Sequence, residues 1–308
     1  MDAFYIILTA SLFSISCGLL GCFLILRKMA MVGDAISHAV LPGIVIAFLL
    51  TGTRDSFDMI VGAALLGIFT TFLIEFFHKR ARLQTDAAIG VTFTWLFALG
   101  VILISVYAGQ VDLDQECVLY GEIAYVPIDL WITESGQILG PKAIYIALIM
   151  LIINILFIVL GYRHLHLTTF DPAFAASIGI SVSLWHYLLM GAVSMTTVAA
   201  FDSVGAILVV ALFVVPPATA YLLTDKLKPM LLFTALLSVA VSVLGYYLAV
   251  LLDGSIAGAI VTVAGIIFAL VFIFSPQTRV FTSKKSIQIS SDETSMILFN
   301  HNITQGND

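Results

Sequence analysis

The stretch Gly33-Asp34-Ala35-Ile36-Ser37-His38-Ala39-Val40-Leu41-Pro42-Gly43 follows the basic pair Arg27-Lys28 and runs into the apolar segment Ile44 to Leu50. Asp34 and His38 are four residues apart, so on a helix they lie on one face, one turn from each other. An ionisable pair inside an apolar span is costly unless it faces protein or a water-filled path. A carboxylate oxygen and an imidazole nitrogen also form a suitable donor set for a first-row divalent metal. The same spacing fits a plainer arrangement, with Asp34 near a helix N-cap at the membrane surface and His38 merely interfacial. Spacing alone does not separate the two.

Composition places the stretch in a membrane. Of the 308 residues, 61% are hydrophobic and only 10% charged, where a soluble domain would carry about a quarter charged residues. Long apolar runs recur along the chain, which predicts an all-α, polytopic membrane protein embedded in a lipid bilayer. The formal charge of −6 gives no sign of a nucleic-acid partner; where each charge sits matters more than the sum. Cys17 and Cys22 fall in the first apolar run and Cys117 in a loop. There is no CxxC pair, hence no thiolate metal site or disulfide framework. No Lys or Arg precedes the first apolar run, so the start does not read as an ordinary signal peptide.

With about 20 apolar residues needed per crossing, about nine spans are expected. They are Phe4–Leu26, Gly33–Leu50, Phe57–Phe77, Ala87–Tyr107, Ala143–Gly161, Val182–Ala200, Val204–Leu223, Met230–Leu252 and Ser255–Phe274. With the N-terminus outside, Arg27, Lys28, Lys79, Arg80, Arg82, Arg163, Lys226, Lys228, Arg279, Lys284 and Lys285 all fall on the cytoplasmic side. Only Arg54 and Lys142 fall outside. Basic residues concentrate in cytoplasmic loops, so an outside N-terminus and an inside C-terminus are expected. The membrane domain then covers 1–276, and the polar stretch 277–308, rich in Ser, Thr and Asn, is a cytoplasmic tail expected to be disordered.

Between spans, Ala108 to Pro141 forms the longest loop. It carries Asp112, Asp114, Glu116, Glu122, Asp129 and Glu134 and no base. Its apolar pieces Cys117–Tyr120 and Ile123–Leu130 are expected to be short helices over the outer mouth, where the acids could attract cations or simply be solvated. On the opposite side, Asp171-Pro172 is a good helix start, with Asp at the N-cap and Pro at N1. Ala173 to Ile178 continues as a helix too short to span, and Gly179 can end it. A short helix on the basic side suits docking to a soluble partner, although a plain connector would look the same. Pro216-Pro217 interrupts Val204–Leu223 and should kink or unwind it. Asp202 falls between two spans, and Gly254 and Gly258 have the GxxxG spacing that permits close helix packing.

Several chemistries are absent from the sequence. There is no GxxxxGK[ST] for nucleotide, no HExxH or GxSxG, and no Arg-rich span of the voltage-sensing type. His78, His164 and His166 lie near span ends and read as surface residues, and His186 as a core or interfacial one.

The stretch Arg27 to Gly43 resembles the signature of permease subunits of metal-importing ABC transporters, the manganese, zinc and iron group. Thr85-Asp86-Ala87-Ala88-Ile89-Gly90 resembles that family's start of a pore-lining span. Asp171-Pro172-Ala173-Phe174-Ala175 with Gly179-Ile180 resembles its ATPase-docking loop. Val204 to Val210 and Val215-Pro216-Pro217-Ala218-Thr219-Ala220 resemble its late pore-side span. The resemblance covers about residues 1–276, and Phe201 to Gly205 is closer to the manganese and iron members.

What it implies is a subunit without catalysis or permanently bound cofactor, in the bacterial cytoplasmic (inner) membrane. Divalent metal (manganese, iron or zinc) would be its transported substrate, with manganese foremost. A second permease copy, identical or related, would complete the channel. A cytoplasmic ABC ATPase would dock on the short helix through Asp171, Pro172, Ala175 and Gly179. An extracytoplasmic metal-binding protein would deliver the ion to Asp34 and His38 inside the channel. The alternative is a stand-alone, ion-coupled secondary transporter of divalent cations, which would need no docking helix. An intramembrane enzyme would lack any recognised catalytic constellation.

Overall fold

The computed structural model describes residues 2–39, 41–51, 56–81, 83–107, 123–132 and 138–274. Its helices are α1 (Asp2–Leu26), α2 (Val32–Ala39), α3 (Leu41–Thr51), α4 (Ser56–Arg80), α5 (Thr85–Tyr107), α6 (Lys142–Phe170), α7 (Pro172–Ser177), α8 (Val182–Val204), α9 (Ala206–Leu223), α10 (Leu227–Leu252) and α11 (Ile256–Phe274). Backbone polar groups in hydrocarbon must be satisfied within the segment, so the apolar runs become helices. Among the described residues, seven are long and apolar enough to cross a membrane: α1, α5, α6, α8 up to Phe201, α9, α10 and α11. The chain is a multi-pass, all-α membrane protein.

The expected span Phe57–Phe77 lies inside the 25-residue helix α4, of which Ala64–His78 is apolar among the described residues. The segment expected as one span from Gly33 to Leu50 is two helices, α2 and α3. Pro42 is the reason: it has no N–H to return to the His38 carbonyl four residues back, and its ring crowds that carbonyl.

Helix α1 is the central post. It packs against α6, α8, α9 and α10, and its Phe13, Cys17, Leu20 and Phe23 are fully buried. Lipid offers no hydrophobic drive between helices, so small residues and internal hydrogen bonds hold such a post. A Cβ on Gly21 would collide with the Phe213 carbonyl and the Pro217 ring of α9. That carbonyl cannot receive a helical bond from Pro217, and the absence of a side chain at Gly21 lets α1 lie against it. Asn154 of α6 donates from Nδ2 to Ser16 Oγ on α1 at 2.7 Å and to Thr196 Oγ1 on α8 at 2.8 Å. Ser238 of α10 donates to the Ser14 carbonyl at 3.1 Å.

Four other expectations need correction. Pro216 and Pro217 do not unwind their span; both sit buried inside the single helix α9. The break falls instead at Gly205, where φ 81° and ψ 158° separate α8 from α9. That region is essentially open to glycine alone, and Asp202 lies in the last turn of α8 rather than between spans. Among the described residues Gly254 and Gly258 meet no neighbouring helix; a close crossing is at Gly245, where a Cβ would stand 2.5 Å from Ile260 Cα on α11. Ile123–Leu130 does not form an outer helix. One 3-10 turn, Ile123–Tyr125, leads to an antiparallel hairpin of β1 (Leu130–Ile132) and β2 (Ile138–Pro141). There Asp129 is paired with Lys142 at 3.0 Å. Cys117–Tyr120, the remaining loop acids and the polar tail lie outside the described residues.

Candidate metal path and docking corner

The turn that launches α2 is built by the end of α1. Lys28 adopts a left-handed conformation (φ 59°). Its N–H bonds to the Ile25 carbonyl and the Met29 N–H to the Leu24 carbonyl, the paired bonds of a Schellman stop. Helix α2 starts at Val32, which makes Asp34 its third residue, beyond the N-cap position. Val32, Ala35, Ile36 and Ala39 are fully buried. The other face carries Asp34 and His38, with Asp34 Oδ1 3.5 Å from His38 Nε2 and side chains 29% and 33% exposed. Phe93 and Phe97 of α5 flank the His38 ring at 5.9 and 6.0 Å between centroids.

Asp34 is not the N-cap residue of α2, and its carboxylate lies along the helix toward the imidazole. An ion bonded at about 2 Å to each donor needs them between about 3 and 4 Å apart, and 3.5 Å falls in that window. The pair can offer one oxygen and one nitrogen from a partly open helix face, and the remaining coordination positions must come from elsewhere. Among the described residues no group of three or more His, Cys, Asp or Glu is placed to hold one ion.

The short helix forms as its sequence predicts. Asp171 Oδ1 accepts from Phe174 N at 2.9 Å, and Pro172 is the first helical residue. The Gly179 N–H bonds to the Ala176 carbonyl and the Ile180 N–H to the Ala175 carbonyl, again a Schellman stop, with Gly179 at φ 83° where a side chain would be strained. Ala175 is fully buried within this chain, while Phe174 and Ile178 stand about half exposed at 51% and 47%. So Asp171, Pro172, Ala175 and Gly179 shape the corner, and Phe174 and Ile178 are the apolar groups it presents. Both border an open groove with Tyr162, Arg163, His166 and Ile180.

Two contacts join this corner to the rest of the basic end. The Arg27 guanidinium donates to Thr168 Oγ1 at 2.9 Å and to Thr169 Oγ1 at 3.1 Å, in the last turn of α6. Burial holds Arg27 down at about 10, still charged at neutral pH. Lys228 lies over the Tyr162 ring, 5.6 Å from its centroid. Arg27 therefore connects the loop before Asp34 to the residues just before Asp171.

One reading of the histidines changes. His164 is not a simple surface residue; it stacks on Trp185 at 4.8 Å. His186 of α8 faces Glu75 of α4, Nε2 to Oε2 3.9 Å. Glu75 was legible as an acid inside an apolar run, Leu73-Ile74-Glu75-Phe76-Phe77, the signal that marks intramembrane function, and sequence reasoning passed over it.

The chain is a multi-pass helical membrane protein and belongs to the ABC 3 transport family, whose profile matches residues 3–275. It is 50% identical over 280 residues to the manganese transport system membrane protein MntD of Bacillus subtilis, covering 91% of this chain and 94% of that protein. It is 45% identical over 272 residues to the zinc transport system membrane protein TroD of Treponema pallidum, covering 88% and 74%. Its fold matches the solved structure of PsaBC from Streptococcus pneumoniae in complex with Fab, with TM-score 0.73, 32% identity, and 89% and 92% of the two chains covered. The resemblance to permease subunits of metal-importing ABC transporters is borne out. The chain is a transport subunit and not an enzyme, ATP hydrolysis residing in a separate subunit in such systems, and the secondary-transporter alternative is set aside.

Proposed function

We propose that this chain is the membrane permease of an ATP-driven importer that carries manganese across a bacterial cytoplasmic membrane, with Asp34 and His38 touching the ion. The observation that carries the reading is the Asp34–His38 pair at 3.5 Å on a half-open face of α2. Relatives named for manganese and for zinc transport support a divalent cargo. Oxygen and nitrogen donors hold such an ion without the grip of thiolates, as passage through a channel requires. The open face is completed by a second permease, a copy of this chain or a related one, which brings further donors to a shared axis.

In the same reading the end carrying Arg27, Arg80, Arg163, Lys226 and Lys228 is cytoplasmic. A separate ABC ATPase seats Phe174 and Ile178 of the corner in a groove, and an extracytoplasmic metal-binding protein supplies the ion at the opposite end. Reconstitution tests this. Proteoliposomes holding the chain, its ATPase and its metal-binding protein should accumulate radiolabelled Mn²⁺ only with ATP, and excess unlabelled Mn²⁺ should suppress the signal. Accumulation that is independent of ATP, or none with Mn²⁺, Fe²⁺ or Zn²⁺, would refute the reading.

A further inference from the structure

A second polar cavity of about 230 Å³ lies between α4 and α8, beside the loop that launches α2, and is lined by Glu75, His186, Thr71, His78, Arg27 and Val32 among others. We propose that it is a second cation site, in which a mostly hydrated divalent ion is held by Glu75 and His186 on its way past the Asp34–His38 pair. The inference rests on the metal-carrying function proposed above.

Glu75 and His186 come from different helices, and their side chains are 13% and 15% exposed. Their 3.9 Å separation is longer than a direct hydrogen bond. It matches two donors each about 2 Å from one ion.

His78, one turn beyond Glu75 on α4, has Nδ1 2.8 Å from the Leu83 carbonyl. Nδ1 therefore donates to that carbonyl, and Nε2 is the ring nitrogen left to meet an ion leaving toward the basic end. Thr71 donates its hydroxyl proton to the Gly67 carbonyl at 3.1 Å, leaving oxygen lone pairs for water or ion. At about 30 Å³ per water, the cavity accommodates several waters, which fill the coordination positions two protein donors leave open. The Arg27 guanidinium on the same wall opposes a tightly held cation, so the site is one of passage and not storage.

The test uses the full chain in nanodiscs, with Mn²⁺ binding read from the loss of the free-ion electron paramagnetic resonance signal. The doubly substituted Asp34→Asn/His38→Ala protein should retain Mn²⁺ binding, and adding Glu75→Gln should weaken what remains about tenfold. Glu75→Gln keeps the shape of the side chain and one acceptor, so a purely structural contact with His186 would survive it. Glu75→Asp, which keeps the charge, should restore binding in part. Should Glu75→Gln fail to insert, His186→Gln in the same background must give the same loss.

Mn²⁺ binding that is unaffected by either substitution, or no binding at all in the Asp34→Asn/His38→Ala protein, would overturn the second site. Wild-type uptake by that Asp34→Asn/His38→Ala protein would instead overturn the channel reading, a separate outcome.

Discussion

Asp34→Asn is expected to lower Mn²⁺ uptake per inserted permease on the order of tenfold or more, the loss associated with disturbing a metal's ligand environment. The substitution keeps the shape and one acceptor and removes the charge. Asn caps a helix about as well as Asp, so a residue that only began α2 would tolerate it with wild-type uptake. In the structure Asp34 is the third residue of α2 and its carboxylate lies 3.5 Å from His38. His38→Ala removes the nitrogen donor and should depress uptake to a similar degree, with the amount of inserted protein unchanged. The check is radiolabelled uptake in cells normalised to permease in the membrane.

Phe174→Asp is expected to abolish ATP-driven uptake, again on the order of tenfold or more, while Mn²⁺ binding to the purified permease stays intact. A carboxylate forced into an apolar contact must be desolvated without a partner, which costs several kcal/mol, on the order of a lost interface hot spot. Phe174 is 51% exposed and Ile178 47% exposed, so neither substitution disturbs the chain's own core. Ala175→Arg behaves differently. Ala175 is fully buried, on the short helix that packs against α6 and α8, and an arginine there breaks the corner itself and lowers the inserted protein. Hydrolysis measured with the ATPase present separates the cases: Phe174→Asp should leave hydrolysis uncoupled from uptake. Wild-type uptake in both Phe174→Asp and Ile178→Asp would place the docking surface elsewhere.

Much of this was legible because a bilayer imposes simple rules on sequence. Seven of the nine expected spans appear as long apolar helices, because a run of apolar residues has no stable alternative in lipid. The short helix Pro172–Ser177 was legible to the residue, since Asp171, Pro172 and Gly179 each satisfy a fixed backbone need. What the corner presents was not legible. Six residues have no periodicity from which to tell that Ala175 turns inward and Phe174 outward. The split of the second span was written in Pro42, whose missing N–H breaks the ladder at His38, yet the apolar run around it reads as continuous. Pro216-Pro217 carried the same local signal with the opposite outcome, because Gly21 on α1 allows the unbonded Phe213 carbonyl to be packed over. Pairing across distance was the least visible: nothing in the chain order brings Glu75 to His186, or Arg27 to Thr168.

The most direct test of the central claim is to locate the ion. Crystals of the permease–ATPase complex grown with Mn²⁺, with diffraction recorded on both sides of the manganese absorption edge, should show an anomalous peak within about 2.5 Å of both the Asp34 carboxylate and the His38 imidazole. That peak should be absent from Asp34→Asn crystals. Manganese peaks found only away from these two residues, with Asp34→Asn retaining them all, would contradict the account.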